Sequence, residues 1–460
     1  MARTKTDTAK VTIQKTNTED DSVEYKRRHS SDAGSSEPGT SDWVLKIEKV
    51  AISDNFQNIL GGSIDSPVVG ECFSGYAMTI TGWVLGLVSP VMSAKIRHAF
   101  TNMTVTEVCE PRSDVFEFYP AWPEAEFTGF QASILSVGLP PKFQLDIVVT
   151  FEDGRDEILG SIWGVRKPMQ MKMASQIQPL FLVFVGRCGS TLIMKLLSQI
   201  PEIVMTGNSK SLYEVRLASY YLHALNILAG RADYRTSFLE DLRKIERFYY
   251  FKPELIDQET INWCESEQVR NTANWIQRQI CQYYESAVTR QNKPGARYFL
   301  EKMFADRYER FTAMEVFPIV KQVLNVRHPY DVMASLKSFQ NLKLDEEQFC
   351  YRRQLFLSIV HSLKTLGDEV FLLRYEDLIN NPHMTLTDLL NYLVLENDPG
   401  MLTTILESSE NLAAELGQHI TSQSIQTSVG RWKHDIKDRK TLGLCHLYFD
   451  DLLEQLGYSV

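Results

Sequence analysis

Phe181-Leu182-Val183-Phe184-Val185-Gly186-Arg187-Cys188-Gly189-Ser190-Thr191-Leu192 is the stretch from which the fold can be read. An apolar run ends in a Gly-rich turn with small hydroxyl residues. A helical pattern follows, with Leu192, Ile193, Leu196, Leu197 and Ile200 on one face and Pro201 as its stop. Strand, small-residue turn and helix start together make an anion site. Successive backbone N–H groups converge there, and the helix dipole favours negative charge. Gly189 lets the backbone approach a ligand closely. Ser190 and Thr191 offer hydroxyl donors, and Arg187 adds a fixed cation able to make paired hydrogen bonds. The plain alternative is a tight turn that binds nothing, because Gly and Ser are common at helix starts.

A nucleotide kinase loop requires G-x-x-x-x-G-K-[ST]. Counting from Gly186, the sixth position is Thr191, no Lys-Ser or Lys-Thr pair follows, and Lys195 falls inside the helix. An ATP or GTP loop is therefore a poor match. Around the loop, strands alternate with helical stretches. The strand candidates are 180–185, 203–206, 298–303, 320–326 and 370–375. That alternation predicts an α/β domain over 175–460, a phosphate-loop parallel sheet flanked by helices.

A second segment repeats the grammar of the first. Val320-Lys321-Gln322-Val323-Leu324-Asn325-Val326-Arg327 is a buried strand, and His328-Pro329-Tyr330-Asp331-Val332-Met333-Ala334-Ser335 opens a helix with Pro in its first turn. An Arg at the C-terminal edge of a parallel strand lies where such sheets bind ligands. Ser335 falls one to two turns into the helix, able to face the strand end.

Taken together, the two segments resemble the nucleotide motifs of sulfotransferases that use 3′-phosphoadenosine-5′-phosphosulfate (PAPS). The first is similar to [RK]-S-G-[ST]-T-[LW], with Arg187, Gly189, Ser190, Thr191 and Leu192 matching and Cys188 in place of Ser. The second is similar to R-[DN]-P-x-[DE]-x-x-x-S, with Arg327 and Ser335 matching and His328 in place of Asp or Asn. Arg374-Tyr375-Glu376-Asp377-Leu378 resembles the family's Y-E-D-L, which braces the sheet. Gly430-Arg431-Trp432-Lys433 resembles a C-terminal segment that closes over the nucleotide, so Arg431 and Lys433 become phosphate candidates. The resemblance covers 179 to the C-terminus and implies PAPS as co-substrate, with no metal required.

Sulfonate transfer asks the protein to position groups and neutralise charge. Arg187 is the first candidate on the leaving-group side. Lys302, which resembles the family's strand-end Lys, is the second. Cytosolic relatives place a His two residues after that Lys, where this chain has Phe304. The resemblance then turns to the bacterial carbohydrate-type and tyrosylprotein-type branch, whose base is a Glu downstream of the loop. Glu214 is the candidate and Glu202 the fallback. Either could instead be a solvated or junction carboxylate.

The remainder of the 460 residues frames this domain. Residues 1–42 are polar and Ser/Thr-rich, and their composition predicts disorder. Residues 43–166 carry β signals: Phe143, Leu145, Ile147, Val149 and Phe151 alternate, Asp153-Gly154 makes a turn, and strand candidates lie at 76–85, 94–100, 104–109 and 158–163. A small sandwich-like accessory domain is expected. Its Trp83, Phe116, Tyr119 and Trp122 could line a glycan face but suit a packed core better. A net charge of −10 argues against nucleic-acid binding. Seven scattered cysteines without C-x-x-C spacing point away from disulfide or zinc frameworks and toward the cytoplasm. No transmembrane segment is expected. The acceptor would be a hydroxyl of a carbohydrate, lipid or small metabolite, bound by helices between 213 and 296. The rival readings are a phosphate-loop kinase, and a glycan-binding protein with an inactive transferase domain.

Overall fold

The computed structural model describes residues 43–206, 216–229, 266–340, 344–416 and 426–458. The stretch 1–42 lies outside them. Asp42–Val460 form one compact unit.

The first nine strands among the described residues are β1 (Leu45–Ile52), β2 (Ile59–Ser66), β3 (Cys72–Phe73), β4 (Ala77–Gly86), β5 (Val91–His98), β6 (Thr101–Glu107), β7 (Gly129–Leu135), β8 (Lys142–Phe151) and β9 (Asp156–Arg166). They form a six-stranded sheet, β3-β1-β9-β8-β5-β6, and a three-stranded sheet, β2-β4-β7. All pairs are antiparallel. The alternating residues of β8 are buried against Met78 and Ile80 of β4 and Phe130 of β7, so the two sheets close one core. Gly154 sits at φ +83° between β8 and β9, where its N–H donates to the Phe151 carbonyl. That positive φ is why the turn carries a glycine. Trp83, Tyr119 and Trp122 pack on one another and on Leu85, Val115 and Ala125. Three of the four aromatic candidates are therefore packing residues.

The second half holds a five-stranded parallel sheet of β10 (Gln178–Phe184), β11 (Ile203–Met205), β12 (Tyr298–Phe304), β13 (Lys321–Val326) and β14 (Val370–Arg374). Its order is β11-β12-β10-β13-β14, with β10 at the centre. One face of β10, Leu180 and Leu182, packs with the helix Ser190–Leu197. The other, Phe181 and Val183, packs with the helix Gln268–Arg290. Phe184 is level with Phe304 of β12 and Asn325 of β13, so three strand ends share one edge. The chain reverses its build direction at β10, which makes that edge the crevice where α/β sheets take ligands.

A buried ion pair joins the two halves. Arg166, the last residue of β9, donates through both Nη atoms to Glu315, and one of these bonds is 2.7 Å. The same carboxylate accepts from the Gly138 and Met169 amides. The two side chains are 0% and 6% exposed. Beside it, Tyr308 and Phe311 from the α/β half enter the sandwich core, and the Tyr308 hydroxyl donates to the Val137 carbonyl. Removing Glu315 strands a buried guanidinium and two amides. Glu315→Ala is expected to cost about 3–5 kcal/mol of stability. Urea unfolding followed by tryptophan fluorescence reads it as a lower midpoint.

Candidate functional site

The loop after β10 is held in backbone conformations that favour glycine. Gly186 and Gly189 have φ +82° and +80°, and Arg187 between them sits at +56°. A non-glycine residue there is strained, and such strain gathers at functional turns. Gly189 caps the helix Ser190–Leu197. A Cβ at Gly189 would lie 2.3 Å from the Tyr375 ring, so packing and φ both demand glycine.

The loop brings the two sequence motifs into contact. Arg187 Nε donates to Ser335 Oγ at 3.1 Å, and Arg327 Nη1 donates to the Arg187 carbonyl at 3.3 Å. Arg327 also donates to the Ser428 carbonyl, and its guanidinium lies 4.9 Å from the Tyr375 ring centre. Lys302, 2% exposed, donates to Thr191 Oγ1 at 2.9 Å. β12 thus delivers its lysine to the helix start, on the face of the sheet opposite Glu301, which accepts from the Ala218 amide. Glu301 is fully enclosed, and burial pushes its carboxyl up to about 8.

The electrostatics are those of an anion site. Burial, then the guanidiniums of Arg327, Arg431 and Arg352, push the Arg187 pKa down to about 10. Arg187 stays cationic at neutral pH, yet like charges crowd it, and an anion among them would relieve that repulsion. The buried Nε atoms of Arg327 and Arg352 find no hydrogen-bond partner among the described residues. Buried donors of this kind ask for an acceptor.

Arg431 reaches the cluster on a short segment pinned by Asp331. That carboxylate, fully buried, accepts from the Gly430 and Trp432 amides at 2.7 and 2.9 Å and lies 3.8 Å from Arg327. Arg431 itself bonds Ser338 and Asp435. Glu376 accepts from the His328 amide and the Tyr458 hydroxyl, while Tyr375 pairs with Ser428 Oγ. Tyr375 and Glu376 therefore tie the loop, the second motif and the C-terminal segment together, the bracing role expected of Y-E-D-L.

Some expected site residues sit elsewhere. The Cys188 thiol points into the core and donates to Asn325 Oδ1 at 2.8 Å, with burial pushing it up to about 11. Only its backbone remains for a ligand. The Leu192 side chain is core, at 7% exposure. Lys433 is exposed and lies 5.9 Å from the Trp432 ring centre. Glu202 immediately precedes β11, and its carbonyl accepts from the amides of Arg297 and Tyr298. This is the edge opposite the loop, so the fallback base is withdrawn. Glu214 lies outside the described residues.

Sequence reasoning missed Arg352. It comes from the helix Glu346–Leu366 and donates to the Val185 carbonyl at 2.6 Å, flush against Gly186. An arginine inside a polar helical run carries no signal of this. Asn325 and Asp331 were also missed, although a polar Asn inside an apolar strand run is a readable hint.

Among the described residues no helix is long and apolar enough to cross a membrane, and no group of His, Cys, Asp or Glu side chains is placed to hold a metal ion. Gly189→Ala is expected to lower stability by about 1–3 kcal/mol through φ strain alone, and further through the ring clash. Thermal unfolding measures it. In a double-mutant cycle with Tyr375→Leu, the clash appears as a smaller loss than the two single changes predict.

Residues 179–399 match a family model described as the sulfotransferase family. No curated protein matches. Solved structures that resemble the chain include the sulfotransferase domain of the Synechococcus PCC 7002 olefin synthase, at 20% identity and TM-score 0.38, covering 64% of this chain and 100% of that one. Sulfotransferase STF9 from Mycobacterium avium is similar at 15% identity and TM-score 0.32, covering 62% and 79%. Mouse sulfotransferase SULT7A1 complexed with PAP is similar at 14% identity and TM-score 0.32, covering 61% and 85%. The matched segment holds the loop, Lys302, Arg327 and Ser335; residues 179–399 belong to the sulfotransferase family, and that match supports a sulfotransferase enzyme.

Proposed function

We propose that the chain moves a sulfonate from PAPS to a hydroxyl of a carbohydrate, lipid or small metabolite. The observation that carries this reading is the meeting of four guanidiniums where β10 and β13 end. Two of them, Arg327 and Arg352, hold buried Nε atoms with no partner among the described residues. A nucleotide with phosphate groups at both its 5′ and 3′ positions suits such a cluster, and the contact between Arg187 and Ser335 supports adjacent phosphate subsites.

In this reading Arg187, the Cys188 and Gly189 amides, Ser190, Thr191 and the Leu192 amide hold the 5′-phosphosulfate. Arg327 and Ser335 hold the 3′-phosphate, with Arg431 and Lys433 closing over it. Bound PAPS supplies a sulfonate joined to a phosphate that departs with the bonding electron pair. Lys302, already set against Thr191, neutralises charge on that departing oxygen. Water is excluded around it because β12 and the loop helix bury it. A cytoplasmic setting belongs to the same proposal and rests on the scattered, odd-numbered cysteines.

The test is calorimetry with the product nucleotide, 3′-phosphoadenosine-5′-phosphate (PAP), without metal, alongside ATP. PAP is expected to bind more tightly than ATP. Arg187→Ala and Arg327→Ala are each expected to weaken it by about 10- to 100-fold, the loss of charge-assisted hydrogen bonds. Lys302→Ala is expected to leave PAP affinity near the parent value while lowering turnover about 10²–10³-fold. Equal PAP affinity in both arginine variants would remove the site assignment.

A further inference from the structure

A second cavity lies against the end of the lysine-bearing strand. It has a volume of about 530 Å³, which suits a ligand of one or two rings. β6 and β7 of the antiparallel half form one wall, through Asn102, Thr104 and Ser133. His223 and Asn226, from the helix Leu217–Ala229, form another. Asp306 and Glu309 come from the segment that follows β12, so the strand that carries Lys302 leads into this cavity within four residues.

Two features mark the cavity as a place for hydroxyl groups. Asp306 accepts from Tyr351 through Oδ2, at 3.1 Å, while its Oδ1 is buried and has no partner among the described residues. That oxygen lacks a donor, and an acceptor hydroxyl would supply one. The second feature is a histidine held by a carboxylate. His223 Nδ1 lies 2.9 Å from Glu309 Oε1, and Glu309 is 5% exposed whereas the imidazole is 57% exposed. With Nδ1 donating to that carboxylate, Nε2 is the ring nitrogen left to accept a proton. This is the arrangement of a proton acceptor oriented from behind. One side-chain contact leads from the cavity toward the nucleotide side. Tyr351, bonded to Asp306, adjoins Arg352, which holds the Val185 carbonyl at the loop.

We propose that this cavity is the acceptor site, that it takes a neutral polyhydroxylated molecule, and that His223, held by Glu309, receives the acceptor's proton. The inference rests on the sulfotransferase reading and adds to it the acceptor class, the base and a role for the antiparallel half. The two carboxylates, Asp306 and Glu309, outnumber the one arginine of the lining, Arg307, which disfavours an anionic acceptor, and amide, hydroxyl and carboxylate groups suit sugar hydroxyls. In the step, the acceptor O–H gives its proton to His223 Nε2. The oxygen's electron pair bonds to the sulfonate sulfur, and the S–O pair leaves with the nucleotide phosphate. The imidazolium then returns its proton to water.

The experiment measures transfer of radiolabelled sulfonate from PAPS to maltose, with 4-nitrophenol and tyramine as phenol and amine controls. The full chain is used throughout, and PAP affinity is measured for every variant. Transfer to maltose is expected. His223→Gln is expected to lower kcat about 10²–10⁴-fold with PAP affinity unchanged. Glu309→Gln lowers kcat less and leaves KM unchanged. Thr104→Trp, which fills the cavity from β6, raises KM for maltose without touching PAP. The proposal is overturned if His223→Gln retains kcat, if Thr104→Trp has no effect, or if a PAP-binding parent sulfonates only the controls or nothing. A parent that fails to bind PAP overturns the sulfotransferase nucleotide reading itself, and this inference with it.

Discussion

Everything at the site depends on holding like charges together. Arg187, Arg327, Arg352 and Arg431 converge on one strand edge, where burial strengthens their repulsion. The fold offsets this with fixed dipoles and a few carboxylates. Carbonyls of Val185, Arg187 and Ser428 accept from the guanidiniums, and Asp331 and Asp435 stand near two of them. The balance still leaves Arg187 with a depressed pKa. An anion placed among such charges would relieve the repulsion that remains after folding.

The same constraint explains the surrounding architecture. Tyr375 fills the space that a side chain at position 189 would need, and its hydroxyl reaches Ser428. Asp331 pins the segment bearing Arg431. Glu376 fixes the amide that follows Arg327. Each contact removes freedom from a charged or glycine-rich turn, so that the cluster is organised before a ligand arrives. The antiparallel half is joined to this scaffold by the Arg166–Glu315 pair and by Tyr308 and Phe311. Tyr308, Phe311 and Glu315 follow the lysine-bearing strand, so the joint and that strand share one segment.

Much of the fold was legible because it follows from periodicity. The alternation in β8, the Asp153-Gly154 turn and the five parallel strands all appear where the sequence predicts them, within a few residues. β1, β2, β3 and β7 went unread. β1 carries a bulge that breaks its alternation, β2 contains two adjacent glycines and is mostly half-exposed, and β3 has only two residues. The places of the loop, Lys302, Arg327 and Ser335 at strand ends and helix starts were legible because strand-end cations and small-residue turns have a local grammar. Arg352 and the His223–Glu309 pair were not, since their partners are distant in the chain.

The sequence by itself determined the two sheets' strand types, the phosphate loop and the cations at two strand ends. Those depend on neighbours a few residues apart: apolar spacing, glycine at positive φ, and a helix start. Tertiary structure alone decided where side chains point and what they meet. It turned the Cys188 thiol into the core, put Glu202 on the far edge, brought Arg352 under the loop and set His223 beside Glu309. Such contacts join residues tens to hundreds of positions apart. They follow from sheet order and helix packing, which local pattern does not encode.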